Sequence, residues 1–192
     1  MHKDCVIALE GIDGSGKSTL VQMLRQEFDV ALYERTRKGY LTDSILRTRF
    51  MQKYRFLQIP IYLFLSYKNY LLFLLRKGRR QRIIMDRCFL SNICYFHPTA
   101  LGNPKLMRRL MSFEVKLLPN VIFILDEDPK TSWNRDKNKK SLRWITETRN
   151  AYLSAEKSDL LSQYDIRVIE SHGTIEEKYM IISKEIRRKM KW

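Results

Sequence analysis

The sequence holds few of the residues that build metal centres and covalent cross-links. Only three cysteines, Cys5, Cys88 and Cys94, and three histidines occur among its 192 residues. The cysteines form neither a CxxC pair nor an even set. We therefore expect neither a disulfide scaffold nor a zinc site.

Long hydrophobic runs are also scarce. The most apolar segment, residues 59–75, is interrupted by Pro60, Ser66, Lys68 and Asn69. A lysine in the middle of a membrane span costs roughly 2.5–3.5 kcal/mol, so this segment predicts a buried helix and not a span. The first residues lack the small-residue cleavage site of a signal peptide, and we expect a soluble, cytoplasmic protein.

Acidic residues are scarce relative to basic ones. The chain has 21 Asp and Glu against 36 Lys and Arg, which gives a formal net charge of +15. This excess favours an anionic partner: a nucleotide, a nucleic acid or a membrane surface. The hydrophobic fraction of 44% and the charged fraction of 30% are typical of a globular protein. A length of 192 residues predicts a single domain, over residues 1–192.

Short apolar runs alternate along the chain with longer stretches of helical periodicity. Four of the apolar runs are continuous, as in strands covered on both faces of a parallel sheet, whereas Arg167 interrupts the last run and predicts an edge strand. The alternation predicts an α/β domain whose sites lie at the carboxyl ends of the strands. The predicted strands cover residues 6–9, 30–33, 83–85, 121–125 and 166–169.

Helix signals lie between these strands. After the first strand, an apolar stripe at helical spacing runs from Leu20 to Phe28. Asp128 followed by Pro129 is typical of an N-cap with proline at the first helical position. Thr174 with Glu177 predicts a capping box at the start of the last helix.

The most specific motif follows the first predicted strand. Gly11-Ile12-Asp13-Gly14-Ser15-Gly16-Lys17-Ser18 matches the phosphate-loop pattern GxxxxGK[ST] and opens a helical pattern. In such a loop the backbone N–H groups and the helix N-terminus point at a phosphate. Lys17 is expected to bridge the β- and γ-phosphates, and the Ser18 hydroxyl to hold Mg²⁺. The motif predicts ATP binding, with Mg²⁺ as cofactor, by Gly11, Ile12, Asp13, Gly14, Ser15, Gly16, Lys17, Ser18 and Thr19.

A second pair of polar residues follows the third predicted strand. Asp86 at the carboxyl end of that strand can order Mg²⁺-bound water or take a proton from an acceptor, and Arg87 can grip a phosphate bidentately. We therefore predict Asp86 as a catalytic and metal-binding residue.

These two motifs together resemble those of the thymidylate kinases. Residues 10–19 and 86–91 are similar to the opening motif and the DR(Y)xxS motif of that family. The resemblance implies a P-loop NTPase-type three-layer fold, with a five-stranded parallel sheet, helices on both faces and a short lid. It extends over nearly the whole chain, with supporting matches at residues 34–36, 63–68, 125–129, 144–153 and 169–171.

The resemblance implies a role for each matching residue. Asp13 would face the acceptor sugar and the phosphate-binding Arg35, and Arg87 would hold the acceptor phosphate. Phe64 would stack on the pyrimidine, and Lys68, one helical turn further on, would donate to a base carbonyl. The implied substrate-binding set is Asp13, Arg35, Phe64, Lys68, Arg87, Ser91 and Tyr95.

The charge that develops during phosphoryl transfer must meet a cation. One branch of the family carries a basic residue inside the phosphate loop, but this chain has Gly14 after Asp13. The other branch supplies the cation from the lid, and residues 135–143 hold five cations against one aspartate. We therefore predict a lid over residues 135–143, with Arg135 and Arg143 as catalytic candidates.

The leading prediction is a kinase that transfers the γ-phosphoryl group of ATP to dTMP, giving dTDP and ADP. One alternative is a kinase for another pyrimidine monophosphate or for a deoxynucleoside. The other is a non-catalytic protein that binds nucleotide or nucleic acid through its basic runs at 76–82 and 184–191.

Two arginines, Arg35 and Arg87, favour a monophosphate acceptor over a deoxynucleoside. Nucleic acid is the less favoured partner, because acidic and basic residues are mixed in the C-terminal run and no aromatic residues alternate with the basic ones there. The departures from the family pattern, which include Lys68, Cys88 and Phe96, lie on the acceptor side. The apolar residues of 56–75 and the family resemblance lead us to expect a homodimer.

Overall fold

The computed structural model describes residues 5–28, 30–34, 68, 71, 82–96, 119–135, 141–158, 161–162, 164–170 and 173–190. Within these residues the chain alternates strands and helices. The strands are β1 (Cys5–Glu10), β2 (Ala31–Glu34), β3 (Arg82–Asp86), β4 (Val121–Leu125) and β5 (Ile166–Ile169). The longer helices are α1 (Lys17–Phe28), α2 (Phe89–Phe96), α3 (Pro129–Arg135), α4 (Leu142–Glu156) and α5 (Ile175–Met190).

All five strands are parallel, in the order β2-β3-β1-β4-β5. The predicted five-stranded parallel sheet is confirmed, and β5 with Arg167 lies at an edge as expected. The second strand begins and ends one residue later than predicted, at Ala31–Glu34. Several strands also extend beyond their apolar runs, because the backbone ladder continues through polar end residues such as Glu10 and Asp86.

Successive side chains of β1 enter two cores on opposite faces of the sheet, as the two-residue period of a strand requires. Ile7 and Leu9 pack with α1 and α5 on one face. Val6 and Ala8 pack with α2 and α4 on the other face. The resulting three layers match the predicted P-loop NTPase-type architecture.

The predicted helix starts are confirmed by their hydrogen bonds. The Thr131 amide donates to Asp128 Oδ2 at 2.8 Å, as an N-cap requires. The Thr174 amide donates to Glu177 Oε2 at 2.7 Å and the Glu177 amide donates to Thr174 Oγ1 at 3.2 Å, which completes the capping box. These caps fix where α3 and α5 begin.

In the part of the chain that the structure describes, no helix is both long and apolar enough to cross a membrane. The apolar segment 59–75 lies outside the described residues except for Lys68 and Leu71. Both of these residues are helical, and their side chains are exposed.

Candidate active site

The phosphate loop joins β1, the central strand, to α1. Gly11 has φ 134° and Gly14 has φ 83°, a region that side chains other than glycine rarely adopt. A Cβ atom at Gly11 would lie 2.5 Å from the Leu125 carbonyl oxygen, and one at Gly14 would lie 2.8 Å from the Ser132 carbonyl oxygen. Both the backbone conformation and the available space therefore require glycine.

The close approach at Gly14 has a consequence for catalysis. A basic side chain at this position has no room beside the Ser132 backbone, so a loop-borne cation is incompatible with this packing. Ser132 itself is fully buried, and its hydroxyl donates to the Asp13 carbonyl oxygen. This hydrogen bond holds helix α3 against the loop. Sequence spacing did not predict this contact, because the two residues are far apart in the chain.

Lys17 lies folded along the inside of the loop. Its Nζ donates to the carbonyl oxygens of Gly11 at 2.9 Å and Ile12 at 2.6 Å, and to Ser15 Oγ at 3.1 Å. Burial lowers the pKa of Lys17 well below its ordinary value of 10.5, and the nearby Arg87 guanidinium acts in the same direction. An anionic phosphate at the loop would relieve this electrostatic penalty.

The residues predicted to hold Mg²⁺ satisfy a simple test of fit. Ser18 and Thr19 are exposed in the first turn of α1. Asp86 Oδ1 is a buried carboxylate oxygen that has no hydrogen-bond partner among the described residues. A hard cation that keeps several waters and binds one or two protein oxygens suits this donor set.

Arg87 directly follows β3 and has an unusual backbone, with φ 74°. Its amide donates to the Leu9 carbonyl oxygen at 3.1 Å, which holds the turn against β1. Its guanidinium donates to Asp13 Oδ1 at 2.5 Å and to the Tyr95 hydroxyl at 2.9 Å. The arginine that the structure places against Asp13 is therefore Arg87, whereas Arg35, predicted for that place, lies outside the described residues.

Arg87 also makes longer contacts to three oxygens. Nη1 lies 3.2 Å from the Gly11 carbonyl oxygen, 3.3 Å from Ser91 Oγ and 3.4 Å from the Tyr152 hydroxyl. Burial opposes the charge of the guanidinium, but its tyrosine and carboxylate neighbours more than offset this and raise its pKa. The result is a fixed, permanently cationic group at the carboxyl ends of β1 and β3.

A carboxylate that sequence reasoning left without a role lies beneath this arginine. Glu10 is fully buried. Its Oε2 accepts from Ser91 Oγ at 2.6 Å and from the Tyr152 hydroxyl at 3.0 Å. Burial, together with Glu10, raises the pKa of Tyr152, so the phenol remains a protonated donor.

Sequence reasoning assigned Ser91 and Tyr95 to the sugar and base pocket. The structure places them one helical turn apart on α2, with Ser91 turned to Glu10 and Tyr95 turned to Arg87 and Asp13. The Tyr95 ring lies edge-on to Trp144 of α4, with ring centroids 5.1 Å apart. Both residues therefore belong to the group of side chains around Arg87.

Cys88 and Cys94 are buried thiols, not in a disulfide, that flank this group. Burial raises the pKa of the Cys94 thiol, so it stays protonated. Both cysteines belong to the hydrophobic core on this face of the sheet. Among the described residues, no cluster of three metal-ligating side chains occurs.

The two lid arginines differ in their placement. Arg135 is the last residue of α3, and its Nη1 lies 3.5 Å from the Gly14 carbonyl oxygen and 3.4 Å from Glu127 Oε2. Glu127 is buried and also accepts from Lys178 Nζ at 3.2 Å. Arg135 therefore lies directly beside the phosphate loop.

Arg143 lies in the first turn of α4 and pairs within its own helix. Its Nε donates to Glu147 Oε1 at 2.8 Å, and its side chain is 88% exposed. Both ends of the predicted lid at 135–143 are thus helical. The intervening residues 136–140 lie outside the described residues.

The base-binding residues are described only in part. Lys68 is helical and exposed, and Phe64 lies outside the described residues. Their predicted contacts with a pyrimidine remain predictions.

A five-stranded parallel sheet with a phosphate loop after its central strand defines a P-loop nucleotide-binding protein of the nucleotide kinase fold. The sequence model described as thymidylate kinase matches residues 9–186. The chain belongs to the thymidylate kinase family.

Individual relatives agree with this assignment over most of their length. The chain is 29% identical to the thymidylate kinase of Buchnera aphidicola subsp. Baizongia pistaciae, over 80% of this chain and 82% of that protein. It is 26% identical to the probable thymidylate kinase 1 of Saccharolobus solfataricus, over 94% of this chain and 98% of that protein.

Solved structures show the same fold at low identity. A deoxyadenosine kinase from M. mycoides with bound dATP has a TM-score of 0.68 and 12% identity, over 95% of this chain and 99% of that chain. The thymidylate kinase from Ehrlichia chaffeensis has a TM-score of 0.66 and 17% identity, over 96% of this chain and 99% of that chain.

Proposed function

We propose that this protein transfers the γ-phosphoryl group of Mg·ATP to dTMP, giving dTDP and ADP. The observation that carries the proposal is the direct bond between the two halves of the site. Asp13 of the phosphate loop accepts a hydrogen bond from Arg87 of the turn after β3 at 2.5 Å. A donor phosphate at the loop and an acceptor phosphate at Arg87 would therefore be neighbours, as in-line transfer requires. Family membership supports the same reaction.

On the donor side, the loop amides and the start of α1 would surround the ATP phosphates. Lys17 would exchange its contacts to the Gly11 and Ile12 carbonyl oxygens for phosphate oxygens. Its pKa is lowered because burial and the Arg87 guanidinium outweigh the nearby carboxylates, so the negative charge around the ammonium group does not fully offset its desolvation. Phosphate binding would supply further negative charge.

On the acceptor side, Arg87 would hold the dTMP phosphate. Its bonds to Asp13 and Tyr95 are short, whereas its contacts with Gly11, Ser91 and Tyr152 are 3.2–3.4 Å long. We infer that a phosphate oxygen replaces the longer contacts and leaves the shorter ones in place. Arg35, Phe64 and Lys68 would complete the acceptor pocket, as the family resemblance implies.

Asp86 would hold Mg²⁺ through its buried Oδ1, together with Ser18. The metal, when bound, would neutralise charge on the transferred phosphoryl group. A phosphate acceptor is largely deprotonated at pH 7, because its second pKa is about 6. We therefore assign Asp86 to the metal and its waters, and not to proton abstraction, which a hydroxyl acceptor would need.

Arg135 would supply the cation that the phosphate loop lacks. Its guanidinium already lies beside the Gly14 carbonyl oxygen, whereas Arg143 is paired with Glu147 at the surface. We place Arg135 ahead of Arg143 as the residue that meets the transition-state charge.

We also propose that the enzyme is a homodimer and acts in the cytoplasm. The dimer rests on the apolar sequence of residues 56–75 and on the family resemblance. The cytoplasmic compartment fits the reduced thiols at Cys88 and Cys94. Sedimentation equilibrium of the purified chain would test the dimer, and a mass of one chain would reject it.

The proposed reaction is tested by coupled ADP release with dTMP, dUMP, CMP, AMP and thymidine as acceptors. We expect turnover with dTMP to exceed that with each other acceptor, and to vanish when Mg²⁺ is chelated. Lys17→Ala serves as the inactive control for contaminating kinases. Absence of turnover on every monophosphate, together with salt-sensitive DNA binding, would reject the proposal.

A further inference from the structure

Glu10 is the one fully buried carboxylate that touches both the acceptor turn and the helix after the lid, among the residues that the structure describes. It ends β1, immediately before the phosphate loop, and none of its surface is exposed. A buried carboxylate is stable only when its oxygens are hydrogen-bonded. The role of Glu10 is therefore indicated by the four groups that donate hydrogen bonds to its carboxylate.

Two of these donors are main-chain amides at the start of α2. Oε1 accepts from the Cys88 amide at 2.7 Å and from the Ser91 amide at 3.2 Å. The first amides of a helix have no partner within the helix. Cys88, at the N-cap position, has no side-chain oxygen that could accept a hydrogen bond. Glu10, at the end of β1, therefore caps the helix in its place.

This capping fixes the turn that carries Arg87. The Arg87 amide is held by the Leu9 carbonyl oxygen at 3.1 Å, and the next amide, that of Cys88, is held by Glu10. Arg87 lies between these two anchors with φ 74°, a conformation that persists only where its surroundings impose it. The direction of the guanidinium depends on this backbone.

The other two donors come from side chains. Ser91 Oγ and the Tyr152 hydroxyl both donate to Oε2, and these two oxygens also lie 3.1 Å apart. Tyr152 belongs to α4, the helix that follows the lid region. Glu10 therefore joins β1, α2 and α4 at one point beneath Arg87.

We propose that Glu10 is a positioning residue for the acceptor: its carboxylate holds the Arg87 turn and the post-lid helix in the arrangement that binds the acceptor phosphate. This inference rests on the proposed function, since it assigns Arg87 to that phosphate. Because Glu10 is fully buried, it would act through the placement of Arg87 and not through its own contact with nucleotide.

Two substitutions separate placement from charge. Glu10→Asp keeps the charge but shortens the side chain by one methylene, so it cannot reach the α2 amides and Tyr152 together. Glu10→Gln removes the charge but keeps the length of the side chain. Its amide oxygen can accept from the two main-chain amides, while its NH₂ group donates to the hydroxyls of Ser91 and Tyr152. Placement predicts that Glu10→Asp has the larger effect.

The measurement is kcat/KM for dTMP and for ATP in the full-length enzyme. We expect Glu10→Asp to raise KM for dTMP and thereby to lower kcat/KM for dTMP by about 10- to 100-fold, a loss typical of misplacement by about 1 Å, with KM for ATP within about twofold of native. Ile182→Val is the matched control, because it loosens the buried core on the opposite face of the sheet without touching this network. It is expected to lower the melting temperature and leave KM for dTMP unchanged.

Several outcomes would overturn the inference. The inference is wrong if Glu10→Asp has a native KM for dTMP, whatever Glu10→Gln shows. It is also wrong if Glu10→Asp lowers kcat/KM equally for ATP and for dTMP. If Glu10→Asp does not fold, Tyr152→Phe takes its place, with a predicted rise of about threefold in KM for dTMP; an unchanged KM would contradict the inference. Native enzyme without dTMP turnover would instead overturn the proposed function, so the two failures are distinguishable.

Discussion

The donor and acceptor sides that we propose for this site are built in different ways. The donor side is a single stretch of chain, in which Gly11 to Thr19 form a loop and the first turn of one helix. The acceptor side is assembled from Glu10, Asp13, Arg87 and Tyr152, which come together only when β1, α2 and α4 are packed. A local motif therefore reveals the donor, whereas the acceptor side depends on the tertiary structure.

The two sides also differ in the hydrogen-bond partners of their cationic side chains. Lys17 contacts carbonyl oxygens of its own loop, and burial lowers its pKa. Arg87 already has a carboxylate partner in Asp13 and a phenol partner in Tyr95. We infer that the donor side is completed by its ligand, while the acceptor side is largely organised beforehand by the protein.

The largest expected effect concerns the cation that the donor loop lacks. Arg135→Ala should lower kcat by about 10³-fold, since an arginine that meets the transition-state charge contributes about 10³–10⁵. Arg143→Ala is the matched control, because this side chain is exposed and paired with Glu147, and we expect a much smaller loss. Steady-state turnover checks both, and native kcat in Arg135→Ala would exclude this residue.

Removal of the donor lysine tests whether the two sides are separable. Lys17→Ala should lower kcat by about 10²–10³-fold, the range for loss of one preorganised charge donor. Because the acceptor side does not depend on this side chain, calorimetry should find the affinity for dTMP within about twofold of native. A parallel loss of dTMP affinity would mean that the two sides form one unit.

Asp13 is the residue that links the two sides, so its substitution should affect the binding of both substrates. Asp13→Asn deprives the buried Arg87 of its carboxylate partner, and breaking a buried ion pair costs about 3 kcal/mol. We expect this loss in the free energy of unfolding, measured by urea titration, together with a rise in KM for both substrates. A change in KM for ATP alone would show that Asp13 serves only the donor loop.

An ionic cluster remote from both sides gives the smallest effect. Asp165 accepts from Arg167 at 2.9 Å and also pairs with Lys189. Burial works against ionisation of Asp165, but the hydrogen bonds from these cations prevail and lower its pKa below the ordinary value of 3.8. Its stabilising contribution is therefore present at pH 7 and is lost as the pH falls through the lowered pKa.

Asp165→Asn should accordingly cost less than about 1 kcal/mol at pH 7, as expected for a partly exposed ion pair. The difference from the native protein should disappear in acid, below the lowered pKa. Thermal melts between pH 7 and pH 2 measure this, and both KM values should remain native. A difference that does not shrink as the pH is lowered would show that the charge of Asp165 is not the cause.

The C-terminal basic run belongs to the same surface. Arg187 pairs with Glu27, and Arg188 pairs with Glu185. Much of the positive charge of α5 is therefore matched by acidic neighbours, which weakens the alternative of a nucleic-acid contact surface at residues 184–191. The position of Arg135 and Arg87 at the site supports the interpretation that part of the net charge serves nucleotide binding.

The sheet and the phosphate loop were predictable from sequence because both depend on neighbouring residues. Continuous apolar runs mark strands buried on both faces, and GxxxxGK[ST] is contained within eight positions. The roles of Glu10 and Tyr152 were not predictable, since these residues are 142 positions apart and meet only in the folded chain. Glu10 lay inside a recognised motif, but its spacing gave no sign that it caps α2.

The contact of Ser132 with the loop was missed for the same reason. Ser132 is one of several polar residues in a short helix, and nothing in its neighbourhood distinguishes it. Arg135 and Arg143 were both predicted as candidates, from the charge of residues 135–143, from the position of this segment between two helical patterns and from the family resemblance. Only the structure separates them, because it places Arg135 beside Gly14 and Arg143 on the surface.

The central claim is that a preorganised cation on the acceptor side selects a phosphate-bearing acceptor. It is tested most directly by competition between dTMP and thymidine for limiting Mg·ATP in the native enzyme, with products separated by chromatography. The account predicts that dTDP and ADP form in equal amounts and that thymidine is left unchanged. Conversion of thymidine to dTMP, with no dTDP from the dTMP supplied, would contradict it.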